Sequence, residues 1–210
     1  MDLASRPLYL AVADLIREKI FTHQLPPGCW IDEKVFTAEF QISRTPLREA
    51  LKVLASEGLI TMKPRRGAYV TEVEASEIKQ IFEVIALLEA QATQTVAQLA
   101  SDEALDMLDT IHLKLEKAAA NRDIDRFFDL NQEFHDKIQE ISGNRWSRKV
   151  IGDLRQVLKL QRRNSLTKIG RLEQSLHEHR LILTAIISRD GELAKRLMTS
   201  HLQQGQVAAL

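Results

Sequence analysis

Apolar residues recur at helical spacing along most of the chain and give way, in one short window, to the texture of strands. Leu8, Val12, Leu15, Ile16 and Ile20 lie three or four apart, which predicts a first helix over roughly residues 7–23, opened by Pro7 and stopped by the LPPG run at 25–28. Asp32 is placed to cap a short second helix over about 33–40. Ser43 is placed to cap a third that runs to about Glu57, with Gly58 as its stop. LITMK and AYVTE, rich in strand formers, flank PRRG and read as a hairpin with a basic tip. The order is that of a helix-turn-helix followed by a wing, and it occupies residues 1–73.

Beyond Val73 the texture changes to long apolar patterns at helical spacing, without proline and with few glycines. They divide at about 76–99, 102–120, 124–141, 145–163, 172–189 and 191–208. The breaks fall at Ser101, at NRD (121–123), at SGN (142–144) and at RDG (189–191), residues that favour caps and turns. Residues 74–210 are therefore expected to form an all-α bundle. The fold class is mainly α, a winged helix-turn-helix followed by a helical domain.

Composition changes this picture little. Cys29 is the only cysteine, so an intrachain disulfide and a Cys-rich metal site are excluded. No run approaches the ~18 apolar residues of a membrane span, and the N-terminus lacks the basic-then-apolar order of a signal peptide, so no membrane partner and a cytoplasmic location are expected. Charge matters more. The 29 basic and 29 acidic residues balance, yet their distribution is uneven: residues 41–67 carry six Lys or Arg against two acids, 77–140 six against fourteen, and 145–171 nine against one. Attraction to phosphate follows local clusters, not the total.

At about 100° per residue, Arg44, Thr45, Arg48 and Lys52 share one arc of the third helix, and Leu47, Ala50, Leu51 and Leu54 another. One face packs and the other is free. A basic stripe alone is usually a solvated face, but here a short helix and turn precede it and a hairpin carrying Arg65 and Arg66 follows. A helix-turn-helix sets the start of its second helix in the major groove, where Arg reaches guanine. Arg44 and Arg48 lie in that part, with Ser43 at its head. The stretch LPPG…DEKVFTAEFQISRTPLREALKVLASEGLITMKPRRGAYV resembles the winged helix of the bacterial GntR transcription regulators over about 45 residues. The resemblance implies DNA contacts from Lys34, Arg44, Thr45, Arg48, Arg66 and Gly67. Gln41 stands in a turn where that family often has glycine.

Four polar residues fall on apolar faces of the helical domain. Asn131 and His135, at i and i+4, lie within the stripe of Phe127, Phe134 and Ile138. His179 sits amid Leu176, Ile182, Leu183 and Ile186, and His201 among Ala194, Leu197 and Met198. His177 points away, and His112 falls at the edge of its stripe. An inward histidine is more often a hydrogen-bonded core residue than a ligand. Three of them with an amide can also be satisfied together by one metal ion. NQEFHDKIQEISGN, EHRLILTAI and AKRLMTSHL resemble the FCD effector-binding domain of the FadR subgroup of GntR regulators, from about residue 76 to 205. That resemblance implies a divalent metal on Asn131, His135, His179 and His201. Zinc or nickel suits imidazole best and manganese follows.

Members of that subgroup that bind small carboxylates often carry an inward Arg four residues before the Glu that matches Glu89; here Ile85 takes its place. The basic face Arg148, Arg155, Lys159 and Arg162 could substitute, although it falls at the margin of its helix's apolar stripe, where a solvated face is the commoner reading; Arg155 and Glu89 are the effector-facing candidates. No nucleophile, oxyanion donor or phosphate loop completes an enzyme site, and Glu178 diverges by about 100° from His179 around their helix. The expected function is a regulator, not an enzyme: a homodimer on palindromic double-stranded operator DNA, responding to a small carboxylate. A DNA-binding regulator with a purely structural metal and no effector is the alternative.

Overall fold

Three of the first four described elements form because their ends are fixed locally and one side of each is apolar. Helix α1 (Leu8–Phe21) begins after Pro7 and buries Val12, Ala13, Ile16 and Ile20. Helix α2 (Glu33–Glu39) is capped by the Asp32 side chain, which accepts from the Lys34 amide at 2.8 Å. Helix α3 (Arg44–Ser56) buries Leu47, Ala50, Leu51 and Leu54 against α1. It departs from expectation at its start, since Ser43 holds the cap position but its hydroxyl makes no capping hydrogen bond. Gln41, in the turn before it, has φ of 53°, a left-handed backbone that costs a non-glycine residue about 1–2 kcal/mol. The turn thus keeps the conformation glycine favours without the glycine.

The wing consists of β2 (Ile60–Lys63) and β3 (Gly67–Val70), paired antiparallel with Ile60 opposite Val70 and Lys63 opposite Gly67. A two-residue strand, β1 (Trp30–Ile31), adds to the far edge of β3. No periodicity predicts it, because two residues have no period. Leu59, Ile60, Ala68 and Val70 close the core under α1 and α3. At Gly67 φ is +97°, and a Cβ would meet Trp30 Nε1 at 3.1 Å. Gly67→Ala is therefore expected to lower the unfolding free energy of this region by about 1–2 kcal/mol. Urea melts followed by Trp fluorescence read this, and an unchanged midpoint would show that the hairpin tolerates the side chain.

The computed structural model describes residues 6–160 and 168–209 and divides by its contacts into two units, 1–74 with 155–160, and 75–154 with 161–210. The second is helical throughout its described elements: α4 (Ala75–Leu99), α5 (Asp102–Ala120), α6 (Ile124–Ile141), α7 (Arg145–Lys159, whose last turn is counted with the first unit), α8 (Arg171–Ile187) and α9 (Gly191–Ala209). Ser101 and Asp123 cap α5 and α6 through their side chains. The part of the fourth predicted bundle helix at 161–163, with Arg162, lies outside the described residues. Helix α4 runs its buried face, Ile78, Phe82, Ile85, Glu89, Thr93 and Val96, along α9. Helix α5 packs on α6 and α8. His112 is more deeply placed than its stripe suggests: it is buried, and desolvation lowers its basicity, partly opposed by Glu116. Among the described residues no helix is long and apolar enough to cross a membrane.

A candidate DNA-binding face and a candidate metal centre

The free side of α3 presents Arg44, Thr45, Arg48 and Lys52 to solvent. Lys34 at the start of α2, Arg44, and Arg66 and Gly67 of the wing line one concavity of about 300 Å³, walled by Trp30. Ser43 is exposed at the head of α3. Arg65 is exposed at the wing tip with φ of 60°. Three separate sequence stretches thus bring cations to one side of the winged unit. Arg48 is not idle: its Nε donates to both Glu33 oxygens, at 3.0 and 3.2 Å. Both partners are accessible enough that the pair adds little stability, but it fixes the direction of the guanidinium. The acid was missed in the sequence because it lies 15 residues before Arg48, on the other side of the turn between α2 and α3.

In the helical unit, α6, α8 and α9 each turn one imidazole to the same point. His135 Nε2 lies 3.2 Å from His201 Nε2 and 3.3 Å from His179 Nε2, and the three are buried. All three can offer nitrogen atoms within 4.8 Å of one another. The other ring nitrogens differ. His135 Nδ1 is 2.6 Å from Glu89 Oε2, and His201 Nδ1 is 2.7 Å from Glu178 Oε2. A carboxylate accepts, so Nδ1 carries the proton in both rings, and in the neutral form each Nε2 keeps its lone pair. Two neutral rings so oriented face their lone pairs at 3.2 Å and repel unless a proton or a metal ion lies between them.

The distances fit such a charge. Nitrogens about 2.0–2.1 Å from a tetrahedral divalent ion are about 3.3–3.4 Å apart. Burial holds the His179 imidazole far below its ordinary basicity, reinforced by the neighbouring histidines. His201 is lowered too, by burial first, against the pull of Glu178. Neutral imidazoles are what a metal requires. Burial alone would raise the Glu178 carboxyl. Its hydrogen bond from His201 and the charge of Arg171, whose Nη1 is 3.1 Å away, outweigh that and hold it low.

Asn131 is buried one turn before His135 on α6 and shares no hydrogen bond with the three imidazoles among the described residues. Glu89, expected to face an effector, is fully buried, and its carboxylate meets His135. Arg155 is buried and belongs by its contacts to the first unit. Glu178 was set aside in the sequence because it diverges from His179 on α8; it turns instead to His201 of α9. Its signal is tertiary and has no periodicity. His179 Nδ1 has no hydrogen-bond partner among the described residues.

Comparison with known proteins places this architecture. Residues 8–70 match the model of bacterial regulatory proteins of the gntR family, and residues 80–204 match that of the FCD domain. The HTH-type transcriptional regulator YdhC of Bacillus subtilis is 30% identical over 93% of this chain and 88% of its own length. The HTH-type transcriptional repressor RspR of Escherichia coli is 26% identical over 95% and 88%. Among solved structures, E. coli McbR/YncC superposes with a TM-score of 0.81 at 22% identity, covering 98% of both chains. The two sequence relatives are transcriptional regulators, not enzymes. With a winged helix and a helical domain each matched over nearly its whole extent, the chain belongs to the GntR family of bacterial transcription regulators and carries an FCD effector-binding domain.

Proposed function

We propose that this chain is a cytoplasmic regulator of the FadR subgroup, a homodimer that reads a palindromic operator with its winged domain (1–73) and senses a small carboxylate at a metal site in its helical domain (74–210). The convergence of three Nε2 atoms, two of them on rings whose Nδ1 faces a carboxylate, is the observation that carries the sensing half. His135, His179 and His201 with Asn131 would hold one divalent ion, zinc or nickel before manganese. The ion supplies a positive centre for a carboxylate oxygen. Glu89 and Glu178 hold two of the rings in orientation and fix the neutral tautomer that carries its proton on Nδ1. Loss of such an outer partner costs about 10–100-fold in metal affinity, so Glu178→Gln is expected to weaken zinc binding by that factor in competition with a chelating dye. Unchanged affinity would remove Glu178 from the site.

An organic acid suits the centre. Among the relatives is a gluconate operon transcriptional repressor of Bacillus licheniformis, 29% identical over 95% of this chain and 84% of its own length. With Ile85 buried on α4, no arginine stands one turn before Glu89 to anchor the acid, so the ion carries more of its affinity. Arg155 remains the other anion-binding candidate. The acid alters DNA binding only by its differential affinity for the DNA-competent and incompetent arrangements.

On DNA, Arg44 and Arg48 take base edges, with Ser43 and Thr45 beside them at the head of α3. Lys34, Arg65, Arg66 and the Gly67 backbone hold phosphates. Selection from random duplexes followed by anisotropy titration tests the reading: enriched sequences should be palindromic, and one of a panel of carboxylates should shift affinity in metal-loaded protein only. Arg65→Ala should lower affinity evenly across sequences and reduce the salt slope by about 1. The near-complete burial of the three histidines favours a second reading, a structural metal without effector. A carboxylate panel that never shifts DNA affinity, with metal present, would establish it.

A further inference from the structure

The outer surface of the helical unit has one apolar depression, among the described pockets, that the metal centre does not use. It runs along the crease between α4 and α9, has a volume of about 370 Å³, and is floored by Phe82, Ala86, Ala90 and Leu202. At its rim Leu87 is 74% exposed, with Val84 beside it at 43%. Two charges bracket Leu87. Glu83, one turn earlier on α4, makes no ion pair or hydrogen bond among the described residues. One turn later, Gln91 Oε1 accepts from Lys195 Nζ of α9 at 3.2 Å, and Gln94 Oε1 accepts from the same ammonium at 3.3 Å. Lys195 meets no carboxylate among the described residues. The face thus reads, along α4, acid, exposed leucine, unneutralised cation.

We propose that this crease is the surface through which two copies of the chain pair, α4 antiparallel to α4 about a two-fold axis at Leu87. The proposal rests on the homodimer reading above and names its face and register. A two-fold contact is self-complementary: if residue i meets residue j, j meets i. Four residues advance about 6 Å along a helix, so reversing α4 about Leu87 brings Glu83 of one copy level with Gln91 and Lys195 of the other, twice over. Each uncompensated charge then finds its opposite. Leu87 leaves water for the depression of the second copy, where the small side chains of Ala86 and Ala90 leave room. A parallel pairing, or one displaced by a turn, sets Glu83 against Glu83 or against an apolar rim.

Sedimentation of the full chain across nanomolar to micromolar concentrations tests the proposal. The parent is expected to dimerise. Leu87→Arg should raise the dimer dissociation constant about a hundredfold, because it places a charge against its own copy at the axis. Glu83→Lys and Lys195→Glu should each raise it roughly tenfold by like-charge contact, and the double exchange should return it to within about threefold of the parent. Circular dichroism of Leu87→Arg should match the parent, the position being exposed. As an independent reading, Leu87→Cys in a Cys29→Ser background should form a covalent dimer under mild oxidation with diamide. A monomeric parent would defeat the dimer reading itself. A parent dimer whose strength none of these changes alters would leave that reading standing and overturn this face. Single charge variants that weaken without mutual rescue would overturn the register. A small amphipathic molecule retained by the Leu87→Arg dimer in native mass spectrometry would assign the depression to a ligand instead.

Discussion

His179→Ala is expected to abolish metal retention while leaving operator affinity within a few-fold of the parent. Its Nε2 is one of three nitrogens that meet, and removing it leaves two imidazoles and a neutral, weakly donating amide, one strong ligand short of the three that an open site uses. The loss should exceed the roughly 10–100-fold that an outer partner costs. His179 is also the cleanest position to change. Its Nδ1 binds no protein atom among the described residues, so no second group is stranded. His135→Ala should remove metal too, with an added loss of stability, because Glu89 is fully buried and loses the ring that donates to it. Elemental analysis after purification without chelator, beside circular dichroism, separates the effects. Parent protein free of metal that takes up neither zinc, nickel nor manganese would remove the site altogether.

Arg48→Ala should weaken operator binding by about 1–3 kcal/mol and relax base preference, as should Arg44→Ala. The two differ in mechanism. Arg48 uses only its Nε on Glu33, which leaves both terminal nitrogens for a base edge and holds them in one direction. Removing the arginine also leaves the Glu33 carboxylate facing the DNA without its cation, so the loss at Arg48 should be the larger. Neither change should alter the fold, because both side chains are exposed. Anisotropy titrations on the selected operator and on single-base variants measure this, and parent-like binding by both variants would mean that α3 does not enter the groove.

The helices were legible in the sequence because each carries an apolar stripe at a period of 3.6 and ends at residues that favour caps or turns, as at Ser101 and Asp123. The three imidazoles were legible for the same reason: each departs from apolar character on a face that must be buried. What stayed hidden depends on which helix lies beside which. Glu178 points away from His179 on α8 and towards His201 on α9; a periodicity argument describes the first relation and is silent on the second. Glu89 likewise reads as an inward carboxylate whose partner, His135, lies 46 residues away. The pair Glu33–Arg48 spans a turn whose geometry rests on the left-handed Gln41. Strand β1 is too short for any pattern.

The three ligand positions also have a topological meaning. His135 and His179 are 44 residues apart and His135 and His201 are 66, so an ion held among them would close long chain loops, as a disulfide does. Cross-links of that span stabilise by restricting the unfolded chain, and metal free energy becomes folding free energy. Supply of the ion would then set not only whether the regulator can sense but how long it survives. Metal-starved protein should open at the junction of α6, α8 and α9 and be cut there by proteases, while loaded protein of the same sequence persists. A change in abundance, without any change in transcription of its own gene, would be the mark of that coupling.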